Sequence, residues 1–309
     1  MLHRNGECVH NRRMILDEIR GLLARHARAD LRTAIDDVLI FRADSPYPPA
    51  PTTYGRVFAL IGQGTKRCAV GDRVYEYGAG EYLVTSVELP VSGYFARASA
   101  EQPGLGVGLT LDPSVVAEML LREHPGDRPT PVDGSPPSGI AAGTASAELL
   151  DAVVRLLRLL DRPADIDALA PLVKREIVWR LVTGDQGDVV RQVGLPDSGF
   201  SQITRAVRWI RDHYADRFVV EELAQQAGMS VSTFHRNFQA VTAMSPIQFQ
   251  KQIRLQQARL QLAAEPGDIA GISRRVGYES PSQFSREYRR QFGAPPSRDG
   301  SRSPAGRPA

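Results

Sequence analysis

The 309-residue chain is 42% apolar and 24% charged and contains only two cysteines, Cys8 and Cys68. Enough apolar side chains are present for two or more globular cores, which excludes collagen-like, low-complexity and wholly disordered chains. Two isolated cysteines also exclude a disulfide scaffold and favour a reducing compartment. The net charge is +3, but residues 200–309 hold 16 Lys and Arg against 9 Asp and Glu, while the remainder holds 22 against 26. A basic C-terminal third indicates a module that meets a polyanion.

The N-terminal part begins with a helical pattern and continues with strand patterns. Ile15, Ile19, Leu22 and Leu23 recur at helical spacing and predict a helix over 14–37, with Met14 opening a better helix than Met1. Short β-prone runs separated by Gly-rich turns follow and favour a small antiparallel barrel or sandwich. These runs cover residues 38–41, 56–61, 73–77, 82–87, 93–96 and 105–111.

A Pro-, Gly- and Ser-rich stretch at 125–144 is predicted as a loop, and helices are predicted after it. Leucines and valines form an apolar stripe over 149–160, and a second apolar run at 177–182 continues the helical region. The stripe packs within its own chain or forms a subunit interface, and we expect a homodimer. The last sixteen residues, from Ala294, are expected to be a disordered tail.

The basic third contains an internal repeat. Val220, Leu223, Ala224 and Ala227 lie at helical spacing before Gly228, and the same pattern recurs 49 residues later. The second copy consists of Ile269, Ile272, Ser273 and Val276, followed by Gly277. The next helix recurs at a spacing of 50, where Val231, Phe234 and Phe238 match Pro281, Phe284 and Tyr288. Each unit is therefore predicted to be a helix-turn-helix, with Gly in the turn.

The second helix of each unit carries hydrogen-bond donors opposite its aromatic side. Ser230 and Ser280 are predicted N-caps, with Gln283 completing a capping box. A helix with such a face fits the major groove, where Arg pairs bidentately with guanine; a solvated surface is the alternative. The candidate DNA-binding residues are Ser232, Thr233, His235, Arg236 and Gln239 in the first unit and Ser282, Ser285, Arg286 and Arg289 in the second.

Between the units, residues 246–265 are rich in helix formers. A helix of about eighteen residues would be roughly 27 Å long, slightly shorter than one turn of duplex DNA at roughly 34 Å. The connector would thus place the two reading helices in successive major grooves on one side of the duplex.

These residues resemble the AraC/XylS family of bacterial transcription regulators, whose DNA-binding domain has two such motifs joined by a helix. The matching stretch runs from Ile203 to Pro296, and VGYESPSQFSREYRRQFGAPP looks like the family signature, with Ser273 where Ala is usual and Tyr288 where Phe is usual. The resemblance assigns base contacts to Ser232, His235, Arg236, Ser282, Ser285 and Arg286. ELPVSG and LTLDPSVVAEML also resemble a cupin-like sensor of a subgroup that includes regulators of aldehyde detoxification genes.

Cupin-like barrels also house metal enzymes, so catalysis is the alternative to sensing. None of the six His lies between residues 38 and 111, and no hydrolase, metalloprotease or phosphate-loop motif occurs. We therefore expect no enzyme activity, no metal and no cofactor, but an apolar pocket with an aldehyde or another small organic compound as its effector. Candidate ligand-binding residues, each of which also fits a structural core, are Phe58, Tyr75, Tyr77, Tyr82 and Tyr94.

Cys68 is a candidate sensor of electrophiles because Lys66 and Arg67 favour its thiolate, the alternative being an ordinary strand cysteine. An architectural DNA binder without any ligand is a further alternative to the sensor.

The predicted fold class is α+β, with a cupin-like antiparallel β-barrel, a helical connector and an all-α domain with two helix-turn-helix motifs. We expect double-stranded DNA and RNA polymerase as partners, no secretory leader, no membrane contact, and a cytoplasmic, nucleoid-associated location. The predicted units are an N-terminal helical extension (1–37), a ligand-sensing domain (38–145), a connector or dimerisation region (146–199), the double helix-turn-helix domain (200–296) and a tail (297–309).

Overall fold

The computed structural model describes residues 2–46, 50–122, 138–195, 199–265 and 267–299. The strands are β1 (Val38–Ala43), β2 (Ala50–Tyr54), β3 (Val57–Gln63), β4 (Thr65–Val70), β5 (Arg73–Gly78), β6 (Glu81–Thr85), β7 (Leu89–Arg97), β8 (Gly104–Thr110) and β9 (Ile140–Thr144). The helices of the N-terminal part are α1 (Leu2–His26), α2 (Pro113–Arg122), α3 (Ala147–Arg158), α4 (Ile166–Val182) and α5 (Gly187–Gly194). The C-terminal helices are α6 (Gly199–Asp212), α7 (Val220–Gln226), α8 (Val231–Thr242), α9 (Pro246–Ala264), α10 (Ile269–Arg275), α11 (Pro281–Phe292) and α12 (Pro296–Asp299).

Two antiparallel sheets form the N-terminal domain, in the orders β1-β8-β3-β6-β9 and β2-β7-β4-β5. Successive side chains of β3 point to opposite faces of the five-stranded sheet, and both faces are packed against other elements. Phe58 and Leu60 pack against α1 and α3, whereas Ile61 packs with the four-stranded sheet. The predicted α+β class, with antiparallel sheets followed by a helical C-terminal region, is therefore confirmed.

Several local predictions were wrong in their boundaries. Helix α1 ends at His26 and not at 37, because Leu31 and Asp37 adopt positive φ angles of 62° and 66° and Arg32 bridges to Leu39 of β1. Strand β9 lies inside the stretch that was predicted to be a loop, and it pairs with β6 from Thr85↔Ile140 to Glu81↔Thr144. Its sequence, IAAGT, carries little strand propensity, so the pairing with β6 defines it.

The predicted leucine stripe forms α3, whose N-cap Ser146 accepts a hydrogen bond from the backbone N–H of Leu149. Its apolar side chains are buried in one core with α1, α4 and the five-stranded sheet, so the stripe packs within its own chain. Leu169 and Leu172 on α4 remain exposed. No helix in the described part of the chain has the length and hydropathy needed to span a bilayer.

The predicted repeat is present in the C-terminal part. Helices α7 and α10 begin at Val220 and Ile269, and helices α8 and α11 begin at Val231 and Pro281, so the spacings of 49 and 50 hold at the helix boundaries. The residues from Ala294 onward are predicted to be a disordered tail, but Pro296–Asp299 is helical. The hydroxyl of Tyr288 donates to Asp299 Oδ2 at 2.8 Å. Residues 300–309 lie outside the described residues.

The two helix-turn-helix units differ in what they pack against. Phe234, Phe238 and Val241 of the first unit share a continuous core with Val87 and Val91 of the N-terminal domain. The second unit has a core of its own, in which Tyr278, Phe284 and Tyr288 pack edge-to-face. The first unit is thus attached to the N-terminal domain, and the second is attached mainly through α9.

Candidate nucleic-acid interface

Helix α8 is fixed by its cap and by its aromatic face. The Oγ of Ser230 accepts from the backbone N–H of Thr233 at 3.3 Å, and Phe234 and Phe238 are fully buried. The opposite face presents the predicted residues to solvent, because a helix with one buried stripe exposes the other. Ser232, Arg236 and Gln239 are exposed, and Thr233 and His235 are half-buried.

Helix α11 repeats this arrangement. The Oγ of Ser280 accepts from the backbone N–H of Gln283 at 3.3 Å, and Phe284 and Tyr288 are buried. The predicted capping box is only half formed, since the side-chain amide of Gln283 donates to Glu287 Oε1 at 3.3 Å. The complete capping box belongs to α9, between Ser245 and Gln248. Of the predicted residues, Ser282, Arg286 and Arg289 are exposed and Ser285 is half-buried.

The arginines of the C-terminal part fall into two groups. Arg254 and Arg275 donate to acceptors within the protein, with Arg275 held by Gln261, Glu265 and Asp268. By contrast, across residues 199–265 and 267–299 no hydrogen bond or ion pair within the protein engages the guanidinium group of Arg236, Arg286 or Arg289. An exposed guanidinium without an internal acceptor keeps its five donors available for a ligand.

A polar clamp on α9, which no sequence motif predicts, joins the two units. Arg254 donates to the backbone carbonyls of Tyr214 (2.6 Å), Ala215 (3.1 Å), Asp216 (3.0 Å) and Gly277 (2.8 Å). Burial lowers the pKa of its guanidinium below the ordinary arginine value. One side chain therefore joins the loop after α6 to the turn of the second unit. Only the position of Arg254 within an apolar helix pattern could have drawn attention to it.

Replacing Gly277 by Ala is expected to destabilise the second unit more than Gly228→Ala destabilises the first. Both glycines have positive φ, 87° and 64°, so each substitution costs about 1–2 kcal/mol of left-handed strain. A Cβ at Gly277 would also lie 2.2 Å from the carbonyl oxygen of Ala215, whereas nothing lies within 4 Å at Gly228. Urea unfolding of both variants measures the difference, which we expect to be at least about 2 kcal/mol. Equal losses would contradict this account of the turn.

Ser273→Ala is expected to stabilise the protein. Ser273 is fully buried in α10 and its hydroxyl has no hydrogen-bond partner, so the folded state carries an uncompensated desolvation cost. Removal of the hydroxyl should raise the free energy of unfolding by about 1 kcal/mol, as measured by thermal and urea unfolding. The matched control is Ala224→Ser at the equivalent position of the first unit, which should lower it. A destabilised Ser273→Ala variant would contradict the prediction.

The five aromatic candidates for ligand binding do not form one pocket. Phe58 and Tyr82 pack against each other, with ring centroids 5.4 Å apart, on the sheet face that α1 and α3 cover. Tyr77 is buried between the two sheets and Tyr75 packs beside that core. Tyr94 lies next to Arg67, whose pKa is raised by hydrogen bonds to Glu76 and Tyr94.

Cys68 is buried between the sheets, and burial raises the pKa of its thiol to about 11. At neutral pH the thiol is therefore protonated, which favours the ordinary strand cysteine over the electrophile sensor.

Two concave features lie outside the space between the sheets. A cleft of about 400 Å³ between α2 and α4 is lined by Met119, Arg122, Arg175, Glu176 and Trp179. A much smaller crevice lies between the N-terminal domain and α6, beside Glu88 and Arg208. Among the described residues, His, Cys, Asp and Glu side chains do not gather in groups of three or more that could hold a metal ion.

Two family models match the chain in the order of its two parts. The N-terminus of AraC-type transcriptional regulators matches residues 34–189, which is half of the chain, and a helix-turn-helix domain matches residues 223–300. The second match begins within α7 and so covers both reading helices. The matched regions therefore contain both the paired sheets and the exposed arginines.

Among curated proteins, the chain is similar to the HTH-type transcriptional activator RhaS of Salmonella agona (strain SL483), with 29% identity over 147 residues. That alignment covers 47% of this chain and 51% of the relative, and RhaS of Escherichia coli (strain SE11) matches at 26% identity over 53% and 58%. The chain thus aligns with about half the length of these relatives.

Among solved structures, fatty-acid-bound ToxT from Vibrio cholerae strain SCE256 has a TM-score of 0.50 at 9% identity, covering 86% of this chain and 95% of that chain. ToxT from Vibrio cholerae O395 bound to (E)-4-(8-methylnaphthalen-1-yl)but-3-enoic acid has a TM-score of 0.51 at 11% identity, covering 84% and 96%. At these identities the likeness establishes the fold alone. Since the N-terminal family model spans half of the chain and the helix-turn-helix model follows it, this protein belongs to the family of AraC-type transcriptional regulators.

Proposed function

We propose that the protein binds duplex DNA sequence-specifically, with α8 and α11 in two adjacent major grooves, and that a small molecule bound by the N-terminal domain modulates this binding. The observation that carries the proposal is the matched pair of capped helices, each with an exposed arginine at the same position, Arg236 and Arg286. Neither guanidinium has a hydrogen-bond or ion-pair partner within the described part of the chain. Because the two guanidinium groups occupy equivalent positions of the repeat, each can contact base edges in its own major groove.

The length of α9 supports reading of successive grooves. Its 19 residues span about 28 Å at 1.5 Å per residue. One turn of B-form DNA is about 34 Å, so the connector is slightly shorter than the groove repeat. A modest bend of the duplex toward the protein would accommodate the difference.

Contacts of the N-terminal domain with α6, α8 and α9 supply a route for modulation. The backbone N–H of Gly139, immediately before β9, donates to the carbonyl of Val241 in α8 at 2.9 Å. Glu88 forms an ion pair with Arg211 of α6, and the side chain of Gln256 donates to the carbonyl of Thr52 at 3.1 Å. A change in the sheets would therefore reach the end of the first reading helix.

The remaining partners belong to the same proposal. The exposed Leu169 and Leu172 on α4 are candidates for a homodimer contact. The relatives described as transcriptional activators extend the proposal to RNA polymerase as a partner and to a cytoplasmic location at the nucleoid. The ligand-bound ToxT structures support a small organic effector over an architectural role without ligand. An aldehyde as the effector rests on the sequence resemblance alone. Catalysis has no comparable support.

Selection of genomic fragments on the full chain, followed by footprinting, tests the proposal. We expect one protomer to protect two major-groove segments about ten base pairs apart on one side of the duplex. Protection of one groove per protomer would contradict reading by both helices. The full chain is the right probe because the first unit shares its core with the sensor and would expose that core in isolation.

A further inference from the structure

Lys66 lies in an aromatic surrounding between the two sheets. Its Nζ is 4.2 Å from the ring centroid of Phe41, 5.4 Å from that of Tyr54 and 5.8 Å from that of Phe95. These rings come from β1, β2 and β7, and Lys66 itself from β4. Cys68, two residues further along β4 and on the same face, is fully buried, so this face of β4 is the inner one.

The ammonium of Lys66 has no acidic partner. Across the described residues, no ion pair or hydrogen bond joins Lys66 to a carboxylate. The groups around its ammonium are aromatic rings. Cation–π contacts offset part of the cost of removing an ammonium from water, but they do not neutralise its charge. The inner space between the sheets therefore has an uncompensated positive charge.

A second hydrogen-bond donor without an acceptor is on the same inner face, at the position paired with Lys66 in the neighbouring strand. Tyr77 is 1% exposed, and its hydroxyl has no hydrogen-bond partner. In the pairing of β4 with β5, Lys66 is directly opposite Tyr77, so their side chains are on the same inner face. A buried polar group without a partner is costly in a folded protein and calls for an explanation. Both donors lack an acceptor among the described residues, and an anionic acceptor would also balance the charge of Lys66.

We propose that this inner space binds the carboxylate of a small organic acid with an aromatic or alkyl body. The two carboxylate oxygens accept from the Nζ of Lys66 and the hydroxyl of Tyr77, and the rings of Phe41, Tyr54 and Phe95 hold the apolar body. Lys66 is half-buried, so the site reaches the surface. The proposal deepens the proposed function, on which its regulatory consequence rests, by naming the chemical class of the effector.

Other ligand classes fit this chemistry less well. A divalent cation would be repelled by Lys66, and a sugar needs more polar partners than one ammonium and one hydroxyl. Inorganic phosphate would place two charges against three aromatic walls. An aldehyde offers a neutral acceptor and would leave the charge of Lys66 uncompensated. A monocarboxylate satisfies both donors with a single negative charge.

Isothermal titration of the full chain tests the site with benzoate, 1-naphthoate and octanoate, each beside its neutral amide and its aldehyde. We expect at least one carboxylate to bind, and its amide and aldehyde to bind at least about ten-fold more weakly. Lys66→Met keeps most of the apolar stem and should weaken that carboxylate about ten-fold or more, and Tyr77→Phe should weaken it about three- to ten-fold. Lys174→Met removes an ammonium that already pairs with Asp37 and should leave affinity unchanged.

Any of four results would contradict the proposed site. In the first two, no carboxylate binds, or the acid and its amide bind equally. In the others, the aldehyde binds preferentially, or Lys66→Met retains full affinity while its thermal unfolding matches that of the parent protein. DNA affinity measured in parallel separates this proposal from the proposed function. Carboxylate binding that depends on Lys66 supports the site even where DNA affinity does not respond, and in that case the effector role in the proposed function is what fails.

Discussion

Arg286→Ala is expected to weaken binding to the selected DNA site by about 5- to 150-fold, which corresponds to the roughly 1–3 kcal/mol of a bidentate arginine–base contact. Arg236→Ala should have an effect in the same range, because the two side chains occupy equivalent positions of the repeat and both are exposed. Each variant should lose its preference for a particular base, and the base pair affected should differ between the two variants. Fluorescence anisotropy on the selected duplex and on single-base variants measures both effects.

The control removes the same charge from the helical part of the N-terminal domain, whose core contains no residue of α8 or α11. Arg162→Ala, at an exposed position between α3 and α4, should change DNA affinity little. The salt dependence decides between two roles for Arg236 and Arg286. A loss confined to the selected site indicates base contact, whereas equal weakening on all sequences with a shallower salt slope indicates phosphate contact. Unchanged affinity in both variants would remove the basis of the proposed reading geometry.

Arg254→Ala is expected to lower the free energy of unfolding by about 3 kcal/mol, because the backbone carbonyls of Ala215 and Gly277 would lose their donor and those of Tyr214 and Asp216 would keep only the side-chain amide of Gln250. The variant should also bind DNA more weakly, since the clamp sets the position of the second unit relative to the first. Arg254→Lys should recover only part of the loss, because a single ammonium cannot replace the planar fork of a guanidinium. Urea unfolding gives the free energies, and anisotropy gives the DNA affinity.

A matched variant separates this clamp from ordinary surface charge. Arg217 pairs with Glu279 across the same region, but their side chains are 81% and 75% exposed. Exposed ion pairs contribute little to stability, so Arg217→Ala should unfold close to the parent. If both variants are equally destabilised, or if neither is, the buried carbonyl network is not what holds the two units together.

The recognition helices could be read from the sequence because their signals are local. A capping serine, an aromatic stripe at helical spacing and a glycine before the cap define each unit within about twenty residues, and the two copies reinforce each other. The same locality placed Arg236 and Arg286 opposite the buried face. The capping box at Gln283 was a local prediction that the side chain of Glu287, one turn along the helix, overruled.

The side chains of the proposed ligand site were harder to identify because strand alternation does not reveal which of two faces lies between the sheets. Phe58 and Tyr82 have the same aromatic character as Tyr77, yet they face the helical layer. In the sequence, Lys66 is notable only as a neighbour of Cys68, since its three aromatic partners are distant in the chain. Only the pairing of β4 with β5 and β7 brings the lysine, the tyrosine and the rings together.

The amino-acid sequence alone determined the family signature, the two helix-turn-helix units and the arginines that they expose, because helical periodicity and capping are properties of short segments. The tertiary structure decided that IAAGT is a strand, that the first unit shares its core with the sensor, and that Arg254 and Lys66 occupy special surroundings. Each of these depends on contacts between residues far apart in the chain. Their energies arise from burial and from pairing across elements, which no local pattern encodes.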